Sequence, residues 1–297
     1  MLHLKKTLPG HQNPVYALAA DSSRPFFYTA GNDKGVVEWA ADSLSFSKVL
    51  MPVASSVYAL HVYENKLFAG QKSGLIEAFD FSTGGTTQMP AHNKAVFALQ
   101  GIPQKNELVS CGEDGILTVW SADSLQHLYQ LQVSPATARC LALSPGGQEL
   151  AVGSKDNLIR IYDTTDYSLR AEIAGHQGPV TSLRYAPDGT WLLSGSRDAQ
   201  VKKWSAGNYE ELTNLPAHLF AVYGIVFHPS LPYFATCSQD KSIKLWSADD
   251  FRLLKILSID KAGSGHTHSV NTISWTPDGD SLLSTGDDKL VQVWTWN

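Results

Sequence analysis

Five histidines in this chain are followed eighteen residues later by a hydroxyl and twenty-two residues later by an aspartate. The sets are His11, Thr29 and Asp33; His92, Ser110 and Asp114; His176, Ser194 and Asp198; His218, Thr236 and Asp240; and His266, Ser284 and Asp288. A hydroxyl, an imidazole and a carboxylate are the parts of a hydrolytic triad, in which the carboxylate orients the imidazole and the imidazole takes the hydroxyl proton. Here, however, each set also ends on a tryptophan twenty-eight residues after its histidine: Trp39, Trp120, Trp204, Trp246 and Trp294. One active site needs one triad, so five copies favour a structural role: a hydrogen-bonded chain from the indole N–H through hydroxyl and imidazole to carboxylate. Two further units support that reading by losing members together. One carries Val53, Ala69, Ser73 and Phe79 at the four places, and the other carries Ser134, Val152, Asp156 and Tyr162. A buried polar chain missing one member is worse than none, so coupled loss is what a network predicts.

The elements that must position these sets follow from their spacing. The closing aromatics at 39, 79, 120, 162, 204, 246 and 294 are 40, 41, 42, 42, 42 and 48 residues apart, a period typical of propeller blades. Within a unit there are short apolar runs separated by turn residues such as Pro187-Asp188-Gly189 and Asp114-Gly115, and no sustained helical period. The expected fold is therefore all-β: a seven-bladed β-propeller of four-stranded antiparallel blades. Its units lie approximately at 10–50, 53–90, 92–132, 134–173, 175–215, 217–259 and 265–296 within one domain, 1–297. The last unit stops short of the fourth strand that follows the aromatic elsewhere, and residues 2–8 form a spare strand before Gly10-His11. Residues 2–8 are expected to complete the seventh blade and close the ring, removing an exposed edge.

Gly-His pairs open several units, with Ala91 and Ala217 replacing the glycine in two, and the closing aromatic is followed by Ala40, Asp80, Ser121, Asp163, Ser205, Ser247 or Thr295. On these features the whole chain resembles the WD-repeat family, although no unit holds a literal Trp-Asp pair. The resemblance implies a propeller in which the position five after the histidine sits beside a strand bulge and points to the entrance of the central channel. Here that position reads Tyr16, Tyr58, Phe97, Arg139, Thr181, Tyr223 and Asn271. Aromatic residues and arginine carry much of the energy at protein interfaces. The residues three after the histidine are small or proline, which would leave the rings uncovered. Those before each turn aspartate, including Lys72, Lys155 and Arg197, supply a polar rim. The expected partner-binding set is thus Tyr16, Tyr58, Phe97, Arg139, Tyr223, Lys72, Lys155 and Arg197; the competing reading packs the rings between blades as core.

Composition narrows the function classes. A net charge of −5 with mixed signs, and basic pairs only at Lys5-Lys6 and Lys202-Lys203, argue against nucleic acid and anionic membrane. No apolar stretch approaches a membrane span, and the start is too short in apolar residues for a signal peptide. Three cysteines without a close pair point to a reducing, cytoplasmic setting. The link from Trp246 to His266 is lengthened around residues 261–268, which is either a partner-contacting loop or a tolerated insertion. His266 and His268 lack a further nearby ligand, so no metal and no cofactor are expected. The leading expectation is a noncatalytic interaction scaffold that binds a protein or peptide on the His-loop face, alone or within a larger complex. The alternative is a channel enzyme or small-ligand binder without an evident motif.

Overall fold

The computed structural model describes residues 2–296, and across them the chain forms seven four-stranded antiparallel sheets. Blade 1 takes Val15–Ala20, Phe26–Gly31, Gly35–Ala40 and Ser45–Pro52 from the channel outward. Blades 2 to 6 repeat this order, their innermost strands being Val57–Tyr63, Val96–Ile102, Ala138–Leu143, Val180–Tyr185 and Val222–Phe227. Blade 7 contains Val270–Trp275, Ser281–Gly286 and Val291–Thr295, and its outermost strand is His3–Leu8. The N-terminal strand therefore closes the ring, Leu4 pairing Trp294 and Leu8 pairing Val291. Its sequence explains why it can lie on the outside: Leu2 and Leu8 are buried, while His3, Lys5, Lys6 and Thr7 face solvent.

The apolar core lies between neighbouring blades. Phe68, Ile76 and Met89 of blade 2, for instance, pack with Val96, Leu108 and Trp120 of blade 3. Second strands are buried along nearly their whole length, as in Glu107–Gly112, because a blade lies on either face. Outer strands such as Ser45–Pro52 and His127–Gln132 are mostly exposed.

One irregularity repeats in every blade. The pairing of the innermost strand slips by one residue after its first pair, between Val15 and Ala17 in blade 1 and between Val270 and Thr272 in blade 7. Equivalent slips occur at Val57/Ala59, Val96/Ala98, Ala138/Cys140, Val180/Ser182 and Val222/Gly224. The skipped residues are Tyr16, Tyr58, Phe97, Arg139, Thr181, Tyr223 and Asn271. A bulge leaves one residue unpaired and re-aims its side chain, and here it turns seven side chains toward one cavity.

Candidate functional site: the central channel and its His-loop face

The repeated polar sets determine the shape of this face. In blade 5 the Trp204 indole N–H donates to Ser194 Oγ at 2.7 Å, Ser194 meets His176 Nε2 at 2.7 Å, and His176 Nδ1 meets Asp198 at 2.9 Å. Because the indole can only donate, the hydroxyl donates onward to Nε2, leaving the Nδ1–H to donate to the carboxylate. The same chain runs through Trp39, Thr29, His11 and Asp33; through Trp246, Thr236, His218 and Asp240; and through Trp294, Ser284, His266 and Asp288. Each aspartate also accepts the backbone N–H of the residue after the histidine, such as Gln177 at 2.8 Å. Burial keeps His11 and His218 below the ordinary imidazole pKa despite the neighbouring carboxylates. Asp198 is held at about 2: burial opposes this, but the hydrogen bonds from His176 and two backbone N–H groups outweigh it. Thr29, Ser194, Thr236 and Ser284 are fully buried, so these hydroxyls have no path to a substrate.

Blade 3 departs from the expected chain. His92 meets Ser110 at 2.9 Å and Asp114 at 3.0 Å, but the buried Trp120 Nε1 has no hydrogen-bond partner among the described residues. The indole instead meets His127 of the outer strand edge-on, centroids 5.3 Å apart. The two units with divergent letters build substitutes. In blade 2 Gln71 Oε1 accepts from the Ser55 N–H at 3.1 Å, and in blade 4 Ser134 donates to Asp156, which Arg160 also pairs at 2.8 Å.

Rim and mouth are joined by a bond present in all seven blades. The N–H of the residue before each turn position donates to the carbonyl of the residue three after the histidine position: Asn32 to Pro14, Lys72 to Ser56, Glu113 to Ala95, Lys155 to Thr137, Arg197 to Pro179, Gln239 to Ala221 and Asp287 to Ser269, at 2.7–3.0 Å. At Gly31, Gly112 and Gly286, which precede the rim residue, a Cβ would approach these carbonyls to 2.0–2.6 Å, so only glycine fits without a shift.

All seven bulge residues line one cavity of about 640 Å³, together with Arg184 and Asp287. Four of them form a continuous ladder: Tyr16 and Tyr58 have centroids 5.3 Å apart, Tyr58 and Phe97 5.5 Å, and the Arg139 guanidinium lies 4.1 Å over Phe97. The rings meet at tilted angles, 50° and 30°, across adjacent blades while remaining partly exposed to the channel, so they are not sealed as interblade core. Lys155 and Arg197 line a depression beside the mouth with Phe97, Arg139 and Tyr223. Lys72 lies on the same rim, exposed, and lines neither cavity.

Reading the bulge position alone missed Arg184, which lines the cavity, and its neighbour His61. Both sit eight residues after the histidine position, two strand residues below the bulge-adjacent layer, where a period-two reading of the innermost strand would have found them. His61 accepts the Gly101 N–H at 3.0 Å, and burial together with the Arg184 charge pushes its pKa down to about 4. The lengthened loop forms a one-turn helix, Ile259–Ala262, and borders a groove shared with Leu219 and Lys241 of blade 6. Its His268 bonds Thr267 at 2.9 Å, and among the described residues no group of three or more His, Cys, Asp or Glu is placed to hold a metal ion.

The family model described as WD domain, G-beta repeat matches residues 2–39, 64–121, 126–163, 167–205, 209–247 and 257–295. This chain belongs to the WD40 family. The WD40 matches leave part of blades 1 and 2 uncovered, including blade 2's innermost strand, in the unit whose polar set is replaced. Among curated proteins the chain is similar to a guanine nucleotide-binding protein subunit beta of Nicotiana tabacum, 31% identical over 32% of this chain and 27% of the relative. It is similar to echinoderm microtubule-associated protein-like 2 of Homo sapiens, 26% identical over 55% of this chain and 25% of the relative. The 66 kDa stress protein of Physarum polycephalum is 29% identical over 60% of this chain and 30% of its own length. The chain thus spans less than a third of each of these relatives. Among the described residues no helix is long and apolar enough to cross a membrane.

Proposed function

We propose that this WD40 propeller is a noncatalytic interaction scaffold that grips a partner protein or peptide on its His-loop face around the channel mouth, in the cytoplasm. One observation carries the reading: the ladder Tyr16, Tyr58, Phe97 and Arg139 is set by four bulges, is open to the channel, and continues into the basic depression of Lys155 and Arg197. Preorganised aromatic rings and a stacked guanidinium give up little rotamer freedom on binding, which is how a small patch reaches useful affinity. Relatives with this repeat include a protein named as a subunit of an assembly, which agrees with a binding role.

The test is capture of partners by wild type and by Tyr16→Ala/Tyr58→Ala/Phe97→Ala, the variant first shown to melt cooperatively. Loss of a specific partner from the folded variant is the expected result. Retention of every partner would move the contact to the blade edges or to the groove beside Ile259–Ala262.

A further inference from the structure

We propose that the channel interior is a binding site for a small, multiply charged oxyanion, reaching from Arg184 up to Arg139, which it shares with the partner contact at the mouth. The cavity of about 640 Å³ is within the range of small-molecule sites, roughly 300–1,000 Å³. Its wall is rich in donors that the protein does not use. No hydrogen bond or ion pair to the Arg139 guanidinium occurs among the described residues; it lies over the Phe97 ring face, which leaves its N–H groups without a hydrogen-bond acceptor there. Arg184 makes a single long bond, 3.4 Å to the Ile225 carbonyl, and no ion pair among the described residues. The Ser182 and Thr272 hydroxyls also line the cavity, and neither has a side-chain hydrogen bond among the described residues.

The opposing charge is small. Asp287 is the only carboxylate lining the cavity among the described residues, and it is engaged by Asn271 at 2.8 Å. Two guanidiniums therefore face one occupied carboxylate in a chain whose net charge is −5, so the channel is locally positive against an acidic background. Both side chains are exposed to the solvent of the channel, where an incoming anion can reach them, and the protein walls around them displace part of their hydration and so lower both guanidinium pKa values. A planar guanidinium donates in pairs to carboxylate and phosphate oxygens, and the flanking hydroxyls can supply further donors. The shared chemistry is a compact group with several anionic oxygens, found on phosphate compounds and on polycarboxylates.

Titration calorimetry on the full chain at low ionic strength, with pyrophosphate in one arm and citrate in the other, tests this. Saturable binding in either arm is expected, and the arm that binds more tightly names the source of the oxyanion. Arg184→Gln and Arg139→Gln, each confirmed to melt cooperatively, should each weaken binding about tenfold or more, while Lys48→Gln on the exposed outermost strand of blade 1 leaves it unchanged. Arg184 lies below the mouth, so its loss acts on the anion and not on the aromatic ladder. Absence of binding in both arms overturns the proposal, as does an Arg184→Gln variant that binds as tightly as wild type.

Discussion

His176 is hydrogen-bonded at both ring nitrogens, and truncating it strands a buried hydroxyl and a carboxylate at once. His176→Ala should cost on the order of 1–3 kcal/mol in equilibrium urea unfolding; a change near zero would remove the network as a source of stability. The two tryptophans Trp204 and Trp120 offer a sharper comparison. Trp204→Phe deletes a made hydrogen bond, whereas Trp120→Phe deletes an N–H that is already buried without a partner. Both lose similar volume, so Trp120→Phe should be the milder change by about 1 kcal/mol. The pH response has one sign throughout. His11 and His218 have folded pKa values below the unfolded one, so the unfolded chain takes up protons first and stability declines as pH falls below about 6.5. Asp198, at about 2 in the fold against 3.8 unfolded, adds stability that is complete above its unfolded value and is lost between about pH 4 and 2. Thermal melting from pH 7 to pH 3 should therefore show a falling midpoint with no rise on the acidic side. These sets were legible because residue type and spacing recur together. The Trp120 exception was not: its unit has the same Trp, Ser, His and Asp, and its edge-on contact with His127 has a counterpart in Trp39 against Phe46, where the indole keeps its bond.

Among the elements, the strand His3–Leu8 bears most on integrity. It supplies the outer partner of Val291–Thr295, and Leu8 enters a core cluster with Trp39, Leu283 and Val293. Deleting residues 1–8 exposes that strand edge and opens the cluster; the truncated chain should lose cooperative melting or aggregate by size-exclusion chromatography. A cooperative melt near the full-length temperature would contradict the closure's energetic role. The blades themselves could be read from the sequence because each repeats the same turn and aromatic signals at nearly constant intervals. The helix Ile259–Ala262 could not, being a single turn ended by Gly263 at φ 69° in a segment with no counterpart in the other units.

At the scale of the whole molecule, the ring converts residues distant in sequence into one surface. Tyr16, Tyr58, Phe97 and Arg139 are about one repeat apart along the chain yet touch side by side. That the bulge position points inward was implied by family resemblance; that four of its side chains form a ladder depends on the closed geometry. Arg184 shows the limit of reading units separately, since its lack of an ion pair among the described residues, in a cavity with Asp287 as its one carboxylate there, is a property of all seven inner strands together. Ring closure has a further consequence during synthesis. His3 pairs with Thr295, 292 positions later, so at about 5–20 residues per second the first strand waits on the order of 15–60 s for its partner to be made. Earlier blades can assemble from contacts within one or two units, but the strand His3–Leu8 stays unpaired until Val291–Thr295 has been made. In that interval its backbone can dock on the same unfinished edge of a neighbouring nascent chain, so crowded translation on one message should favour strand-swapped dimers over closed monomers.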